Sequence, residues 1–409
     1  MPIFIKLAWR NIFRNKRRTI IAGTAIALGL AALIFFDALM IGLKENMIKT
    51  ATSSFLGEGQ IHRQGFTETQ EVEKTINNLP EVVASLKNEE IVQHFTLRTM
   101  SLGMISSPAN IRGINLVGIE PSTEKEISKI DEAIVKGDYF DGDNKRDIII
   151  GSKLAKLLNV GLGDRVVVTV SQAHTGDLSQ ELFRVSGIFT MADKEMNSGM
   201  VFIRLDQAQK MLGLAENQVH EIALQFTSIE YSSQKNLPFW KRYSKYGNEA
   251  KGWVEILPQL EYVLELTDFS MLILGIILFS VVVFSIVNTL FMSIYERMFE
   301  FGVLRAIGTR PFKMFQLIFY EAGALAILSV ILGIILGVIA VGISQETGID
   351  YRGIEFTGVT FHELVYPVFQ VKQFIIYPIV VFLITILVGI YPAVHAARIK
   401  PVEALRRSL

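Results

Sequence analysis

Residues 20–43 read IIAGTAIALGLAALIFFDALMIGL, 24 positions with a single charge, Asp37. As an α-helix rising about 1.5 Å per residue, the stretch covers roughly 36 Å, more than the roughly 30 Å of a bilayer's hydrocarbon core. It therefore reads as a membrane span. No small-x-small cleavage site closes it within the short apolar region of a signal peptide, so it is expected to be retained. Three further apolar runs follow. Phe269–Ile294 carries no charge. Ala322–Ser344, the uncharged centre of a helix expected over 316–344, contains Gly323, Gly333, Gly337 and Gly342, small residues that let helices approach closely in lipid. Phe374–Ala397 is interrupted by Pro378 and Pro392.

Composition agrees. Half of the 409 residues are hydrophobic and the mean hydropathy is +0.37, greasier than a soluble enzyme. Formal net charge is zero and no basic segment is interleaved with aromatics, so nucleic acid is not an expected partner. Cysteine is absent, which excludes disulfides and thiolate metal sites without identifying a compartment.

The flanks of the spans set the orientation, because an excess of Lys and Arg marks the cytoplasmic side. Residues 1–19 hold six basic residues (Lys6, Arg10, Arg14, Lys16, Arg17, Arg18) and no acid, while residues 295–315 and 398–409 hold four each. Residues 345–373 hold only Arg352 and Lys372 against Glu346, Asp350, Glu355 and Glu363, and residues 44–268 hold 24 basic and 31 acidic residues. Those two segments are expected outside. The zero net charge is then a sum of a basic inside and an acidic outside.

The segment 44–268 reads as a folded α+β domain. DIIIGSKLAKLL is a strand running into a helix, GLGDRVVVTV a turn feeding a β-branched strand, FRVSGIF and VHEIALQF further strands, and LDQAQKMLG a short helix closed by Gly213. At its ends, Lys44–Phe55 continues the first span, and Ile256, Leu260, Val263 and Leu264 form one apolar stripe beside Glu261, Glu265 and Asp268. These ends read as stalk helices tying the domain to spans one and two, or as amphipathic helices capping it.

Catalytic signatures are missing. There is no G-x-x-x-x-G-K-[ST], and Gly57-Glu-Gly59 and Gly161-Leu-Gly163 lack a third glycine in register. His62, His94, His174, His220, His362 and His395 are scattered, and Tyr366 stands where a zinc-protease motif beginning at His362-Glu363 needs its second histidine. No G-x-S-x-G elbow occurs. No metal site, cofactor or catalytic residue is assigned. Two acids lie in or beside spans: Asp37 in the outer third of span one and Glu321 at the cytoplasmic start of span three. An acid at mid-bilayer costs about 2.5–3.5 kcal/mol. Either both reach water or headgroups, or Asp37 faces a wet cavity through which cargo passes. Span one also places Gly23, Ala27, Gly29 and Ala31 in its inner half and Phe35, Phe36, Leu39 and Met40 at outer-leaflet level. That distribution suits either a lateral cargo gate against span two, with Asp37 beside it, or plain packing between spans.

Between spans two and three lies ERMFEFGVLRAIGTRPFK, Glu296–Lys313. As a helix from Glu296, its apolar side chains Phe299, Phe301, Val303, Leu304 and Ile307 spread around most of the circumference. Such a helix needs cover on several sides, and a loop of about 20 residues is not expected to supply it. Glu296 and Glu300 fall in the first turn and Arg305 in the last, which suits the helix dipole, and Gly308 followed by Pro311 ends it. The segment is a docking helix for another protein, or an interfacial helix without a partner.

ERMFEFGVLRAIGTRP resembles the E-R-x-x-E-[IF]-G-[VT]-L-[RK]-A-[IL]-G segment of MacB-like and FtsX-like ABC transporter permeases, closest to the lipoprotein-releasing LolC/LolE type. LAWRNIFRNKRRT is similar to the basic leading helix of these permeases, and GIYPAVHAARIKPVEALR to their exit from the last span. Within the outer domain, IIIGSKLAKLLNVGLGDRVVV, VSGIF and VHEIAL are similar to the lipoprotein-release branch. The resemblance implies a multi-pass bacterial inner-membrane protein: an α-helical membrane protein with four transmembrane helices and a large α+β periplasmic domain between the first two. It implies a dimer, of two copies or with a paralogue, bound to two ABC ATPase subunits that hold ATP and Mg. Glu296, Arg297, Glu300, Phe301, Gly302, Val303, Leu304, Arg305, Ala306, Ile307 and Gly308 would then form the coupling helix, and ATPase closure would reach the outer domain by mechanotransmission. MacB itself carries a fused ATPase and this chain does not, so the ATPase is expected as a separate subunit. Three activities fit the resemblance: release of lipoproteins to a periplasmic carrier, MacB-like efflux or peptide export, and FtsX-like regulation of cell-wall hydrolases. The large outer domain disfavours the last.

Overall fold

The computed structural model describes Arg10, Arg14, residues 16–140, Gly142, and residues 144–191, 193–353, 355–356, 359–360 and 364–398. Most of the basic helix expected over 1–19, the His362-Glu363 pair and the tail from 399 onward lie outside the described residues. Two compact units form: Met1–Glu45 with Leu264–Tyr351 and Glu363–Leu409, and Asn46–Val263 with Arg352–His362.

Helix α1 (Lys16–Ala51) contains the first span and passes directly into one π-helical turn, Thr52–Leu56. In the outer unit ten strands follow: β1 (Gly59–Arg63), β2 (Val92–Ser106), β3 (Ile111–Ile119), β4 (Ile134–Gly137), β5 (Asp147–Gly151), β6 (Arg165–Ser171), β7 (Leu178–Phe189), β8 (Met200–Arg204), β9 (Glu221–Phe226) and β10 (Asn248–Gly252). They make one mixed sheet in the order β10-β1-β9-β2-β3-β8-β5-β7-β4, with β6 paired to β2 and β7. Pairing is antiparallel except for β3 with β8 and β5 with β7. Helices α2 (Leu79–Leu86), α3 (Ser152–Leu158), α4 (Leu205–Leu212) and α5 (Pro238–Tyr243) pack on this sheet.

The unbroken apolar run of β5 follows from burial on both faces. Ile148 and Ile150 join Leu154 and Leu158 of α3 and Met211 and Leu212 of α4, while Ile149 faces the opposite way, into a core with Phe55, Phe189 and Phe202. Gly213 closes α4 at φ +68°, a left-handed conformation open to glycine without strain. The chain enters and leaves the sheet on adjacent strands, since β1 and β10 pair with Gly59 opposite Gly252. The amide of Trp253 donates to the Glu58 carbonyl at 3.0 Å.

In the membrane unit, α6 (Pro258–Glu296), α7 (Met298–Ala306), α8 (Pro311–Thr347) and α9 (Gln373–Ala397) complete the set. Four helices among the described residues, α1, α6, α8 and α9, are long and apolar enough to cross a membrane. Three details differ from the sequence reading. Ile256 belongs to a separate short helix, Trp253–Ile256, so the apolar stripe 256–264 is split at Leu257 and Pro258. Pro311 opens α8, its φ pre-set for a first helical turn, and so starts span three's helix earlier than expected. Helix α9 continues through Pro378 and Pro392; neighbouring helices can satisfy the backbone groups that proline frees in a membrane helix.

Without a hydrophobic drive between helices in lipid, close packing holds the spans together. Ile26, Leu30 and Ile34 of α1 are buried with Val282 and Ile286 of α6, Leu325 of α8 and Val381 of α9. Gly333 and Gly337 let α8 approach α1 closely: a Cβ on Gly333 would lie 2.9 Å from Leu30 Cδ2 and one on Gly337 3.1 Å from Ile34 Cδ1. Among the described residues, Gly323 and Gly342 have no such neighbour within 4 Å. Beyond α8, Ile349 bridges Val365, and the Val368 amide donates to the Ala38 carbonyl of α1 at 2.9 Å.

Candidate functional site

The segment between spans two and three is organised by Arg297. Helix α6 runs through Glu296, Arg297 leaves helical geometry at φ −109°, ψ 13°, and α7 begins at Met298. Glu296 therefore ends α6 and does not belong to the first turn of the short helix. The cause is the Arg297 side chain, which is buried and points inward. Its Nη1 donates to both carboxylate oxygens of Glu321 at 3.1 Å each, its Nε donates to Glu300 Oε2 at 3.1 Å, and its guanidinium lies 5.0 Å from the Phe301 ring centre. Glu321 is 4% exposed. It has a countercharge and does not reach out to water, which corrects the solvent reading of that acid. Arg14 adds a second cation on Glu300, with Nη2 2.7 Å from Oε1. Partial burial works against charge on the Glu300 carboxyl, but the hydrogen bonds from Arg297 and Arg14 prevail and hold it below the usual carboxylate range.

Packing divides α7 into two sides. Phe301 is fully buried with Ile294, Met314, Leu317, Ile318 and Ala393, and Gly302 is buried too. The ends of α6, α8 and α9 thus supply part of the cover that the sequence reading assigned wholly to membrane and partner. At 100° per residue, Phe299, Val303, Ile307, Glu300 and Leu304 share an arc of about 140°. Of these, Phe299, Leu304 and Ile307 are exposed, Ile307 at 78%. Arg305 donates from Nη1 to the Thr309 carbonyl at 3.0 Å and so ties down the end of the helix, where Gly308 turns at φ +100°. Ala306 and Gly308 are exposed. The helix is fixed on one side and presents a short apolar ridge on the other.

The residues of the expected cargo gate differ in burial. Leu39 is buried, whereas Phe35, Phe36, Asp37 and Met40 are half-buried. Phe35 and Phe36 meet edge to face at 5.8 Å, and Phe35 packs on the buried core of the spans. Asp37 lies close to the Tyr377 hydroxyl of α9. Among the described residues, no group of three or more His, Asp or Glu side chains could hold a metal ion. The pairing of Arg297 with Glu321 was missed from sequence. Its signal was an acid at a span end, which calls for a countercharge.

Two family models cover the chain. One described as a MacB-like periplasmic core domain matches residues 19–233, more than half of it, and one described as an FtsX-like permease C-terminal region matches residues 272–401. The chain belongs to the MacB- and FtsX-like permease family. It is an ABC transporter permease, and its large domain between the first two membrane helices is of the periplasmic type. The permease is similar to the lipoprotein-releasing system transmembrane protein LolC of Xylella fastidiosa, with 22% identity over 99% of both chains. It is likewise similar to the lipoprotein-releasing system transmembrane protein LolE of Haemophilus influenzae, with 19% identity over 99% of both chains. The solved periplasmic region of MacB from Actinobacillus actinomycetemcomitans matches at 13% identity and a TM-score of 0.34, covering 50% of the permease and 92% of that chain. Permeases of this family work with ATPase subunits and as dimers, and four membrane-length helices with a periplasmic-type domain fit the inner membrane of a bacterium.

Proposed function

We propose that this permease, driven by a separate ATPase subunit that binds ATP and Mg, releases lipoproteins from the outer leaflet of the inner membrane to a periplasmic carrier. The observation that carries the reading is likeness along the whole chain, 99% of both partners, to proteins named for lipoprotein release. Glu296–Gly308 is the coupling segment. The ridge of Phe299, Leu304 and Ile307, with Glu300 beside it, sits in a groove of the ATPase. Arg297 holds α7 to Glu321 of α8, so that a push on the ridge moves spans two and three together. Two permease chains, identical or paralogous, enclose the path of the lipid chains. The permease itself performs no chemistry.

The experiment is reconstitution. The permease co-purified with its ATPase is placed in liposomes carrying a fluorescent lipoprotein, and soluble carrier is added outside. ATP-dependent transfer of lipoprotein to the carrier is the expected result. ATP hydrolysis with the lipoprotein left in the bilayer, or ATP-driven movement of soluble peptides in its place, would overturn the reading.

A further inference from the structure

Within the outer unit, a second arginine repeats the chemistry found at Arg297. Arg98 of β2 is 0% exposed. Its Nε and Nη2 donate to the two carboxylate oxygens of Glu124 at 2.9 and 2.6 Å, its Nη1 donates to Glu221 Oε1 of β9 at 2.6 Å, and its guanidinium lies 4.0 Å from the Phe55 ring centre. Ser128 Oγ adds a hydrogen bond to Glu124 at 2.7 Å. In both places one guanidinium is shared by two glutamates and lies over a phenylalanine at the point where a long helix stops being α-helical. At Arg297 that point is the break after α6. At Arg98 it is the π-turn Thr52–Leu56 that ends α1.

The π-turn is fastened from all sides. Phe55 is buried against Phe202, with ring centres 5.7 Å apart. The Ser53 carbonyl accepts from the Lys129 amide at 3.0 Å and the Leu56 carbonyl from Gln60 Nε2 at 2.8 Å. A π-turn is a rare distortion that occurs frequently at functional sites. A buried ion cluster is a poor means of stabilising a fold, because desolvation offsets most of its attraction, but it fixes geometry. Placed together, the two features describe a rigid joint and not a stabilising core.

We infer that Arg98 is a positioning residue of the transport cycle: by fixing Phe55 it fixes the π-turn, so that a displacement carried along α1 is delivered to the sheet at β1 and is not lost in bending of the turn. The inference rests on the proposed function for the work that is transmitted. Because β10 lies beside β1, the expected site of delivery is that strand pair.

The test uses the full-length permease co-purified with its ATPase in lipid. One variant is the triple Arg98→Met, Glu124→Gln, Glu221→Gln, which removes the charges together and leaves no carboxylate unpaired. The other is Phe55→Leu, which keeps an apolar side chain and removes the ring. Hydrogen exchange in Gly59–Arg63 and Asn248–Gly252 is measured with and without ATP, alongside ATP turnover and lipoprotein release. The wild-type complex is expected to show an ATP-dependent change in those strands. Both variants should melt within a few degrees of wild type, keep ATP turnover within about twofold, lose the exchange change, and release at least about tenfold less lipoprotein per ATP. Variants that keep the exchange change and the release ratio overturn the inference, as does a wild-type complex that turns over ATP with no change in those strands. Failure of the lipoprotein reading looks different: the exchange change is present in wild type and absent in the variants, yet no lipoprotein is released by either.

Discussion

Arg297, at the break between α6 and α7, meets Glu321 of α8, with one guanidinium nitrogen 3.1 Å from each carboxylate oxygen and both residues buried. Removing one member of such a pair strands the other charge, at about 3–5 kcal/mol, whereas replacing both with apolar groups of similar size is often neutral. Glu321→Ala is therefore expected to lower the unfolding temperature of the detergent-solubilised permease markedly, and Arg297→Met with Glu321→Leu to restore most of it. The restored protein should still be poorly coupled, because only the apolar packing of Phe301 then links α7 to α8. Thermal unfolding and ATPase stimulation measured on the same samples separate the two effects; a double variant that is stable and fully coupled would exclude a role for the pair in coupling.

Glu300 differs from Glu321 in being accessible, and two cations, Arg297 and Arg14, bond to it. Glu300→Lys places three cations together, and Gly302→Trp forces bulk into a buried position. Each is expected to leave expression intact and to reduce co-purification of the ATPase several-fold. Ile307→Ser, on the exposed ridge, should weaken ATPase binding with little effect on stability, since exposed substitutions usually fall within about 0.5 kcal/mol. Wild-type ATPase recovery in all three would remove the docking assignment.

Much of this architecture was legible because the deciding signals are local. Span one announces itself by length and lack of charge, β5 by its unbroken isoleucines, and α4 by the glycine that closes it. The extent of span four was legible too, 374–397 against the observed Gln373–Ala397, but the interruption expected at Pro378 and Pro392 does not occur, because neighbouring helices can satisfy the backbone groups that proline frees in a membrane. The cover of Phe301 was misread because it comes from α8 and α9, which no local pattern brings to α7. Arg98, Glu124 and Glu221 were invisible for the same reason: each is an ordinary charged residue in its own stretch, and only the order of the strands joins them.

Packing of the spans can be tested at α8. Gly333→Val puts a branched side chain where the ideal Cβ alone already lies 3.0 Å from the Ala27 carbonyl oxygen and 2.9 Å from Leu30 Cδ2. Overpacking of this kind typically costs about 1–3 kcal/mol. Gly323→Ala, which meets nothing within 4 Å, should be neutral or slightly stabilising. Equal melting temperatures for the two variants would mean that α1 and α8 do not pack as described.

Two buried histidines make the outer unit sensitive to acid. Phe66 stacks against both His62 and His220, at 5.7 and 5.0 Å between ring centres. His220 Nδ1 accepts from the Met100 amide at 2.9 Å and Nε2 donates to the Val72 carbonyl at 2.8 Å, an arrangement that requires the neutral ring. Burial pushes the titration of both histidines below the ordinary value. Above about pH 6.5 neither folded nor unfolded state holds the proton, so stability does not change. Below it the unfolded chain binds protons that the folded state refuses, and stability falls by up to about 1.4 kcal/mol per pH unit for each histidine. Unfolding of the full-length permease followed by tryptophan fluorescence should therefore require less denaturant at pH 5 than at pH 7, with a smaller loss in His220→Gln. A midpoint that rises as the pH falls, or one that falls equally in the variant, would contradict this assignment.

The route of the cargo gives the last test. Lipoprotein acyl chains lie in the outer leaflet, and exposing them to water costs about 0.8 kcal/mol per CH₂, so several chains need a sheltered apolar path. At that level of α1, Leu39 is committed to the core, while Phe36 and Met40 keep part of their surface open. Asp37 on this part of α1 lies close to Tyr377 of α9. Phe36 and Met40 lie about 100° and about 60° around α1 from Asp37, and they are the residues to probe. A photo-crosslinker at either position in the full complex should trap lipoprotein before ATP binds and lose it when ATP binding closes the spans. Tyr377→Phe, which removes the hydroxyl and leaves the ring, should weaken that dependence on nucleotide about two- to tenfold, in line with the loss of one polar contact of ordinary hydrogen-bond strength. Crosslinks to soluble peptides alone, or to nothing in either state, would exclude this face of α1 as the path.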